Sequence, residues 1–288
     1  MKLALGTVQF GLPYGIANQN GQVRETDVKK ILYKAKMAGI DTLDTAIDYG
    51  DSEKCLGNVG VDGWRVITKL PQIPKDHNNI QNWIEEQIEA SLDRLGKEQV
   101  TGLMLHHPMQ LNSANGEIIW STMQSLKDRN LVKKIGYSIY DPTELDILWG
   151  KFKPDIIQSP YNIVDQRLKT SGWLHRLYEA GVEIHVRSIF LQGLLLLDFD
   201  KRPDKFWQWD KLWRQWDNWL SDNQITALQA CINFALSESK ISHVIVGVDN
   251  IEQLSEILRA MDTKLYNYPT DLSVTDHDLI NPSSWNLQ

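Results

Sequence analysis

The sequence predicts an α/β fold, a single (β/α)8 barrel that spans residues 1–288 as one domain. Eight short runs of apolar and β-branched residues alternate with amphipathic helical patterns along the chain. Such alternation is typical of parallel strands joined by right-handed helical crossovers, and eight units match a closed barrel. No GxGxxG run follows the first strand, and no repeat, linker or low-complexity tract divides the chain.

Each predicted strand is a short run of apolar and β-branched residues. In chain order they are Leu3–Thr7, Thr42–Thr45, Arg65–Lys69, Gly102–His106, Lys134–Tyr137, Ile156–Gln158, Glu183–Arg187 and Val244–Val248. Helical patterns with apolar residues at i, i+3 and i+4 lie between most of them. Gly39, Gly96 and Gly181 stand where three of these helices should end, because glycine readily adopts the left-handed conformation of a C-cap.

The composition argues against several classes of function. The formal net charge is −7, and the sequence has no basic stripe that could bind a phosphate backbone, so no nucleic-acid partner is expected. The N-terminal run is no signal peptide, and the apolar run Ile189–Leu197 is too short to span a bilayer. No membrane association and a cytoplasmic location are therefore predicted. Cys55 and Cys231 lack a CxxC spacing and are expected to be reduced and buried.

Polar side chains close the predicted strands at the end where a barrel of this type carries its active site. They are Thr7, Gln9, Asp44, Lys69, His106, Ser138, Gln158 and Ser188. Each alone has a structural interpretation; Asp44 could cap a helix, and His106 could be a satisfied core histidine. Because they recur on seven strands, we expect one site built from several loops. No metal site is predicted, because the histidines outside the motifs, His77, His175, His185 and His243, have no metal-ligand spacing.

The segment Asp44–Glu53 (DTAIDYGDSE), with Leu56 and Gly57, resembles the aldo-keto reductase signature DTAxxYGxSExxLG. Ile67–Lys69 is similar to the family's strand-end lysine, and Leu105–Pro108 is similar to its LHxP motif. These motifs follow in family order over nearly the whole chain, and the loop Tyr161–Arg167 is similar to one in a bacterial branch. The resemblance implies an NAD(P)-dependent oxidoreductase.

The resemblance assigns the catalytic roles to Asp44, Tyr49, Lys69 and His106. Reducing a carbonyl with hydride produces an alkoxide that must be protonated, and Tyr49 would be the donor. A phenol has a pKa of about 10, so Lys69 is expected to lower that pKa and Asp44 to fix the lysine. His106 would hydrogen-bond the carbonyl oxygen of the substrate.

The implied cofactor is NADP or NAD. The residues expected to bind it are Thr7, Asp44, Ser138, Gln158, Arg187, Ser188, Phe190, Leu191, Gly193, Gly247, Val248 and Gln253. The chain departs from the family at two nicotinamide contacts, where Ile139 replaces an asparagine and Arg187 replaces an aromatic residue. Gly247, Val248 and Gln253 replace the groups that grip a 2′-phosphate, and Asp249 would repel it. NAD(H) is therefore predicted to be accepted at least as well as NADP(H).

Many family members open with a hairpin that plugs the barrel, yet this chain is expected to lack it. Its bottom would be closed by side chains or by the C-terminal segment Tyr266–Gln288. The tryptophan-rich segment Phe206–Leu220 is expected to be a helix packed on the barrel, with a substrate wall or a subunit contact as the alternative. In the same way, Asn162, Asp165 and Arg167 could meet a polar ligand or cap the next helix.

The predicted substrate is a small carbonyl compound, an aldehyde, a ketone or a sugar-like carbonyl, and the chain would be a monomer or a small homo-oligomer. Two alternatives stay open. One is a non-catalytic, cofactor-binding regulatory or partner protein on the same barrel. The other is a different barrel chemistry, such as a lyase or an isomerase.

Overall fold

A computed structural model describes residues 1–16, 18, 21–74, 77–261 and 267–285, and in it the eight predicted strands form a closed parallel barrel in sequence order. The strands are β1 (Leu3–Gly6), β2 (Thr42–Asp44), β3 (Arg65–Leu70), β4 (Val100–Leu105), β5 (Val132–Ser138), β6 (Ile156–Pro160), β7 (Glu183–Arg187) and β8 (His243–Gly247). β1 pairs with both β2 and β8, which closes the barrel. The predicted fold class is confirmed.

Helices alternate with the strands around the barrel. They are α1 (Glu25–Met37), α2 (Ser52–Val59), α3 (Ile80–Leu95), α4 (Gly116–Asp128), α5 (Thr143–Leu148), α6 (Arg167–Thr170), α7 (Trp173–Glu179), α8 (Asp210–Asn223), α9 (Ala227–Ser237), α10 (Ile251–Ala260) and α11 (His277–Ile280). Gly39, Gly96 and Gly181 follow three of them with φ of 84°, 63° and 74°, as predicted. Within the described ranges, no helix has the length and apolar character needed to cross a membrane.

The hydrophobic core lies mainly between the barrel and its helices, with a small layer inside the barrel. Alternate strand residues point outward into the large core, as Leu43, Val66 and Ile184 do. Ile67, Met104 and Ile156 form the inner layer, where they touch one another and are fully buried. This inner layer separates the two ends of the barrel, so polar groups at the top and at the bottom belong to different clusters.

Polar side chains close the bottom of the barrel, at the N-terminal ends of the strands. Arg65 Nη2 donates to Glu183 Oε1 at 3.0 Å, and because β3 and β7 lie on opposite sides of the barrel, this bond crosses the interior. Lys134 donates to the other carboxylate oxygen, and His185 Nε2 lies 2.7 Å from Oε1. His243 Nδ1 is 3.7 Å from the same oxygen. Side chains therefore close the bottom of the barrel, which is one of the two closures that the sequence analysis expected.

The bottom cluster brings together two histidines that lie far apart in the sequence. Glu183, His185 and His243 place three possible metal-ligand atoms within 4.8 Å of one another. Arg65 and Lys134 already neutralise the carboxylate there, and their charges oppose a further cation. We therefore describe the cluster as an ion pair with two imidazoles packed against it.

We expect acid to destabilise the protein through His243. Burial, and then the neighbouring His185, lower the pKa of His243 to about 4, whereas an unfolded histidine has a pKa of about 6.5. The unfolded state therefore binds more protons, so stability is full above pH 6.5 and falls as the pH drops towards 4. Through His243 the wild type should lose on the order of 1 kcal/mol of its free energy of unfolding between pH 7 and pH 4.5, a figure discounted for the partial exposure of the ring. His243→Gln should not show this loss. Urea unfolding at pH 7 and pH 4.5 measures it.

His175→Gln is the matched control because His175 is exposed on α7. It should unfold with the same pH dependence as the wild type. If His243→Gln also keeps the wild-type dependence between pH 6.5 and 4.5, His243 is not the titrating group.

The tryptophan-rich segment packs through buried side chains on the turns that follow β7 and on the C-terminal segment. α8 begins only at Asp210, so Trp209 precedes the helix rather than sharing its face, and its indole donates to Asp276. Trp213 and Trp216 are fully buried on one face of α8, and their indoles donate to backbone oxygens of Phe206 and Leu195. Trp216 also contacts a large cavity described below.

The C-terminal segment packs beside this region and not beneath the barrel. The Val274 amide donates to the Val164 carbonyl in the loop after β6, and Trp285 packs edge-on against Phe206 at 4.8 Å. Tyr266 and residues 286–288 of the predicted segment lie outside the described residues. Residues 267–285 therefore do not close the bottom of the barrel, which was the second of the two expected closures, because side chains of β3, β5, β7 and β8 already fill it.

Candidate active site

The four predicted catalytic residues converge at the C-terminal end of the barrel. Asp44 ends β2, Lys69 lies in β3, His106 follows β4, and Tyr49 lies in the loop before α2. Asp44, Tyr49 and His106 line a cavity of about 290 Å³, and Lys69 lies behind Asp44. The barrel places these residues together because neighbouring parallel strands end at the same rim.

Lys69 and Asp44 form a buried ion pair beneath the cavity. Lys69 Nζ donates to Asp44 Oδ2 and to the Thr45 carbonyl, both at 2.8 Å. Their side chains are 0% and 6% exposed, so solvent hardly screens the pair. Gln158 Nε2 donates to the other carboxylate oxygen at 2.7 Å. Burial lowers the pKa of Lys69, and the Asp44 carboxylate acts against that shift.

Tyr49 lies above this pair. Lys69 Nζ is 5.1 Å from the centre of the phenol ring. Burial, reinforced by the Asp44 carboxylate, raises the pKa of Tyr49 well above its ordinary value. The net shift is therefore upward, opposite to the direction expected from the sequence, and burial is its largest cause. Burial and the Asp44 carboxylate thus favour the neutral phenol.

His106 stands on the other side of the cavity as a neutral imidazole. Its ring meets that of Tyr49 edge-on, with centroids 5.8 Å apart. Burial, and then the charge of Lys69 and Arg187, lowers the pKa of His106 to about 3. Its buried Nδ1 has no hydrogen-bond partner and lies 3.9 Å from Asp48 Oδ2. For both of these groups, the Tyr49 phenol and the His106 imidazole, the surroundings thus favour the uncharged form.

Two further residues of the signature motif hold the loop that carries Tyr49. Ser52 Oγ donates to the Thr7 carbonyl at 2.8 Å. Glu53 is buried and accepts hydrogen bonds from Thr68 of β3 and from Ser91 and Arg94 of α3. Because this one carboxylate ties α2 to a strand and to a helix, it fixes the position of the Tyr49 loop.

Gly11 allows the loop after β1 to pack directly on the Tyr49 loop. A Cβ at Gly11 would lie 1.8 Å from the Tyr49 carbonyl oxygen, a distance at which backbone must move. Any side chain there would push the loop that carries Tyr49 away from the cavity.

The residues predicted to hold the cofactor divide among four places. Thr7, Asp44, Arg187, Ser188, Phe190 and Gly247 line the small cavity with Tyr49. Phe190, Gly193, Gly247 and Gln253 line an adjoining cavity of about 620 Å³. Ser138 and Gln158 lie buried beneath the small cavity, where Ser138 Oγ donates to Gln158 Oε1 at 3.3 Å. The side chains of Leu191 and Val248 pack into the hydrophobic core and line neither cavity.

Arg187, which replaces the family's aromatic residue, projects into the small cavity. Its guanidinium lies 4.6 Å from the centre of the Tyr140 ring. It donates to Ser138 Oγ at 3.4 Å, to Ser188 Oγ at 3.3 Å and to the Ile139 carbonyl at 3.1 Å. Ile139 itself is fully buried in the core, so its side chain adds no polar group to the site.

Sequence reasoning missed two residues that line the cavities, Tyr14 and Tyr140, and it placed Gln9 at the site without giving it a cofactor role. Tyr14 and Gln9 contact both cavities, and Tyr140 contacts the small one. Gln9 Oε1 is buried without a partner, and a Cβ at Gly247 would lie 2.5 Å from Gln9 Nε2. The place of Gln9 just after β1 was enough to put it at the site, whereas Tyr14 lies in a loop whose path no local pattern predicts.

The loop Tyr161–Arg167 is held by contacts within the protein. Asn162 Oδ1 accepts from the amides of Val164 and Asp165, and Asn162 Nδ2 donates to the Ser188 carbonyl. Arg167 pairs with the buried Asp165 and also with Asp141 in the loop after β5. These residues therefore fasten the loops after β5, β6 and β7 to one another, and the N-cap of α6 is Gln166, which makes no side-chain capping bond.

Comparison with known proteins gives the same architecture. The family model described as "Aldo/keto reductase family" matches residues 2–271. An aldo-keto reductase from Bacillus halodurans, in its holo form, superposes with a TM-score of 0.74 at 18% identity, over 92% of this chain and 88% of that one. A protein titled an aldo-keto reductase from Pseudomonas aeruginosa superposes with a TM-score of 0.67 at 18% identity, over 90% and 89%. At such identity these structures support the fold alone.

Proposed function

We propose that this chain, which belongs to the aldo/keto reductase family, reduces an aldehyde, a ketone or a sugar-like carbonyl by hydride transfer from a nicotinamide cofactor. The family makes it an oxidoreductase that acts on carbonyl compounds. One observation carries the finer proposal. A neutral phenol and a neutral imidazole, Tyr49 and His106, face the same cavity above a buried Lys69–Asp44 pair.

The described residues fit a nicotinamide dinucleotide. The cavities of about 290 and 620 Å³ share Gln9, Tyr14, Phe190, Gln192 and Gly247 and so form one continuous groove. The buried, unpartnered Gln9 oxygen lies at their junction, where Gly247 leaves room that a side chain would fill. We propose that Ser188 and Phe190 hold the nicotinamide end, and Gly193 and Gln253 the adenosine end. When bound, the cofactor supplies the hydride.

The side chains of the chain would stabilise and protonate the product of that transfer. His106, uncharged, donates a hydrogen bond to the carbonyl oxygen as negative charge builds on it. Tyr49 then gives its proton to the same oxygen, because an alkoxide is a much stronger base than a phenolate. Lys69 stabilises the phenolate that remains, and Asp44 holds Lys69 in place. In the reverse direction the same groups would oxidise an alcohol.

We predict that NADH binds at least as tightly as NADPH. Asp198, Asp249 and Glu256 bring negative charge to the larger cavity. Its arginine, Arg202, is held by two bonds to Asp217, at 2.9 and 2.8 Å, and is not free for a phosphate. Asp249 is fixed by donors from Asn18 and Gln253. A 2′-phosphate would therefore meet carboxylates without a free cation.

Titration of the protein with NADH and NADPH, followed by tryptophan fluorescence, tests the proposal, because Trp216 lines the larger cavity. A panel of aldehydes, ketones and sugars then gives turnover. We expect micromolar binding and a dissociation constant for NADH no higher than that for NADPH. Tenfold tighter binding of NADPH would overturn the cofactor preference. Failure of both cofactors to bind would overturn the reductase, and binding without turnover of any carbonyl would favour a regulatory role.

A further inference from the structure

We propose that the substrate is an anionic carbonyl compound, whose carboxylate or phosphate binds Arg187 beside Tyr49 and His106. The inference rests on the proposed reductase function and names its substrate class. It comes from the surroundings of Arg187, the last residue of β7. Its guanidinium lines the small cavity together with Tyr49 and His106.

Within the described residues, Arg187 forms no salt bridge with a carboxylate. Its partners within the described residues are two hydroxyls and a carbonyl: Ser138 Oγ, Ser188 Oγ and the Ile139 oxygen. Other arginines that are largely buried in the fold have acidic partners, as Arg167 has Asp165 and Arg202 has Asp217. Because a cation that is partly removed from water without a counter-charge is costly, a charged partner from outside the chain would stabilise it.

The other charges at the cavity do not supply that partner. Lys69 and Asp44 neutralise each other. Glu144 faces the neighbouring loop, where both the Tyr140 and the Asp141 amides donate to one of its carboxylate oxygens. Asp48 is at the rim, 48% exposed, and lies nearest to His106. Among the described residues, Arg187 is therefore left without a salt bridge at the cavity, although its charge acts to lower the pKa of Glu144, in a protein whose formal net charge is −7.

The guanidinium is also held in a form suited to an oxyanion. Tyr140 supports one face of it, which limits its rotation. An arginine has five N–H donors, and Arg187 uses three, two of them on hydroxyls at 3.3 and 3.4 Å. The two remaining donors can meet the paired oxygens of a carboxylate or phosphate, which is the arrangement that arginine favours over lysine.

The test uses matched aldehydes that differ in charge. 4-Carboxybenzaldehyde is compared with its neutral methyl ester, and glyceraldehyde 3-phosphate with glyceraldehyde. For each pair the ratio of kcat/KM, anionic over neutral, is measured for the wild type, Arg187→Met and Arg187→Lys. The carboxylate pair and the phosphate pair distinguish the two kinds of anion. Arg259→Met, on the exposed face of α10, is the control for the same change in net charge.

We expect the wild type to prefer the anionic member of at least one pair tenfold or more. Arg187→Met should bring that ratio close to one, with Arg187→Lys between them, and Arg259→Met should keep the wild-type ratio. A wild-type ratio near one for both pairs would overturn the inference while leaving the reductase intact. A ratio that keeps its wild-type value in Arg187→Met would also overturn the inference, since Arg187 would then act only in packing or on the cofactor.

A binding measurement separates this inference from the reductase proposal. Quenching of tryptophan fluorescence by terephthalate, a dianion without an aldehyde, is followed for the wild type and for Arg187→Met. If no aldehyde is turned over, the reductase proposal fails, but terephthalate binding that weakens tenfold or more in Arg187→Met still supports an anion site. Equal binding to both proteins overturns that site.

Discussion

Tyr49→Phe is expected to lower kcat at least a hundredfold on any aldehyde that the wild type reduces. Phenylalanine keeps the ring and its edge-on contact with His106 but removes the only proton donor proposed for the alkoxide. A hundredfold loss corresponds to about 2.7 kcal/mol of transition-state stabilisation, which general acid catalysis ordinarily supplies. Because the phenol is neutral in the structure, the variant changes no charge in the resting site.

Single-turnover kinetics with saturating NADH measures this loss, and circular dichroism verifies that the variant is folded. Tyr33→Phe is the control, since Tyr33 is 70% exposed on α1. A loss in kcat of less than fivefold would assign the proton to another donor. Tyr14 and Tyr140 would be the candidates because both line the same cavity.

The sequence predicted the barrel because its signals are local. Each strand is a short apolar run, and the observed bounds of the eight strands differ from those expected by only a residue or two at most ends. The order of the strands then follows from the alternation with helices. The start of α8 was harder to predict, because the apolar pattern runs through the 3-10 turn Asp204–Trp209 into the helix without interruption.

The sequence also predicted part of the site, from strand ends and from the signature motif. Asp44, Lys69 and His106 lie at strand ends, so the fold alone brings them to one rim. Tyr49 lies in a loop and was found through the signature motif. The sequence could not show that burial and the Asp44 carboxylate raise the pKa of Tyr49, because both depend on how the Tyr49 loop packs on β2 and β3.

Polar groups that meet across the barrel were beyond prediction. Glu183, His185 and His243 carry no recognisable spacing, yet the closed barrel places them within reach of one another and of Arg65. The sequence predicted that Arg187 lies at the site. It could not predict that Arg187 lacks a salt-bridge partner among the described residues. That property depends on where Glu144 and Asp44 find their own partners.

Breaking the Lys69–Asp44 pair is expected to cost stability as well as activity. Lys69→Met leaves the Asp44 carboxylate buried without its cation, and removing one partner of a buried pair costs about 3–5 kcal/mol. Asp44→Asn should cost a similar amount because it leaves a buried ammonium. In the double variant neither charge remains, and the amide oxygen that replaces the carboxylate can still accept the hydrogen bond from Gln158. We therefore expect it to be about 1–3 kcal/mol more stable than the sum of the single losses predicts.

Urea unfolding of the wild type, the two single variants and the double variant measures this coupling. Lys127→Met, in a pair with Asp155 whose side chains are 41% and 34% exposed, is the control and should cost less than about 1 kcal/mol. Additive losses in the double variant would show that the two charges do not interact strongly.

The kinetics of the same variants should follow a different pattern. We expect kcat to fall at least a hundredfold in both single variants and to remain low in the double variant, although its stability is partly restored. The proposed reaction needs a cation beneath Tyr49 when the phenolate forms, and a neutral pair cannot provide it. Recovery of kcat together with stability would instead mean that the pair serves only to hold the loops in place.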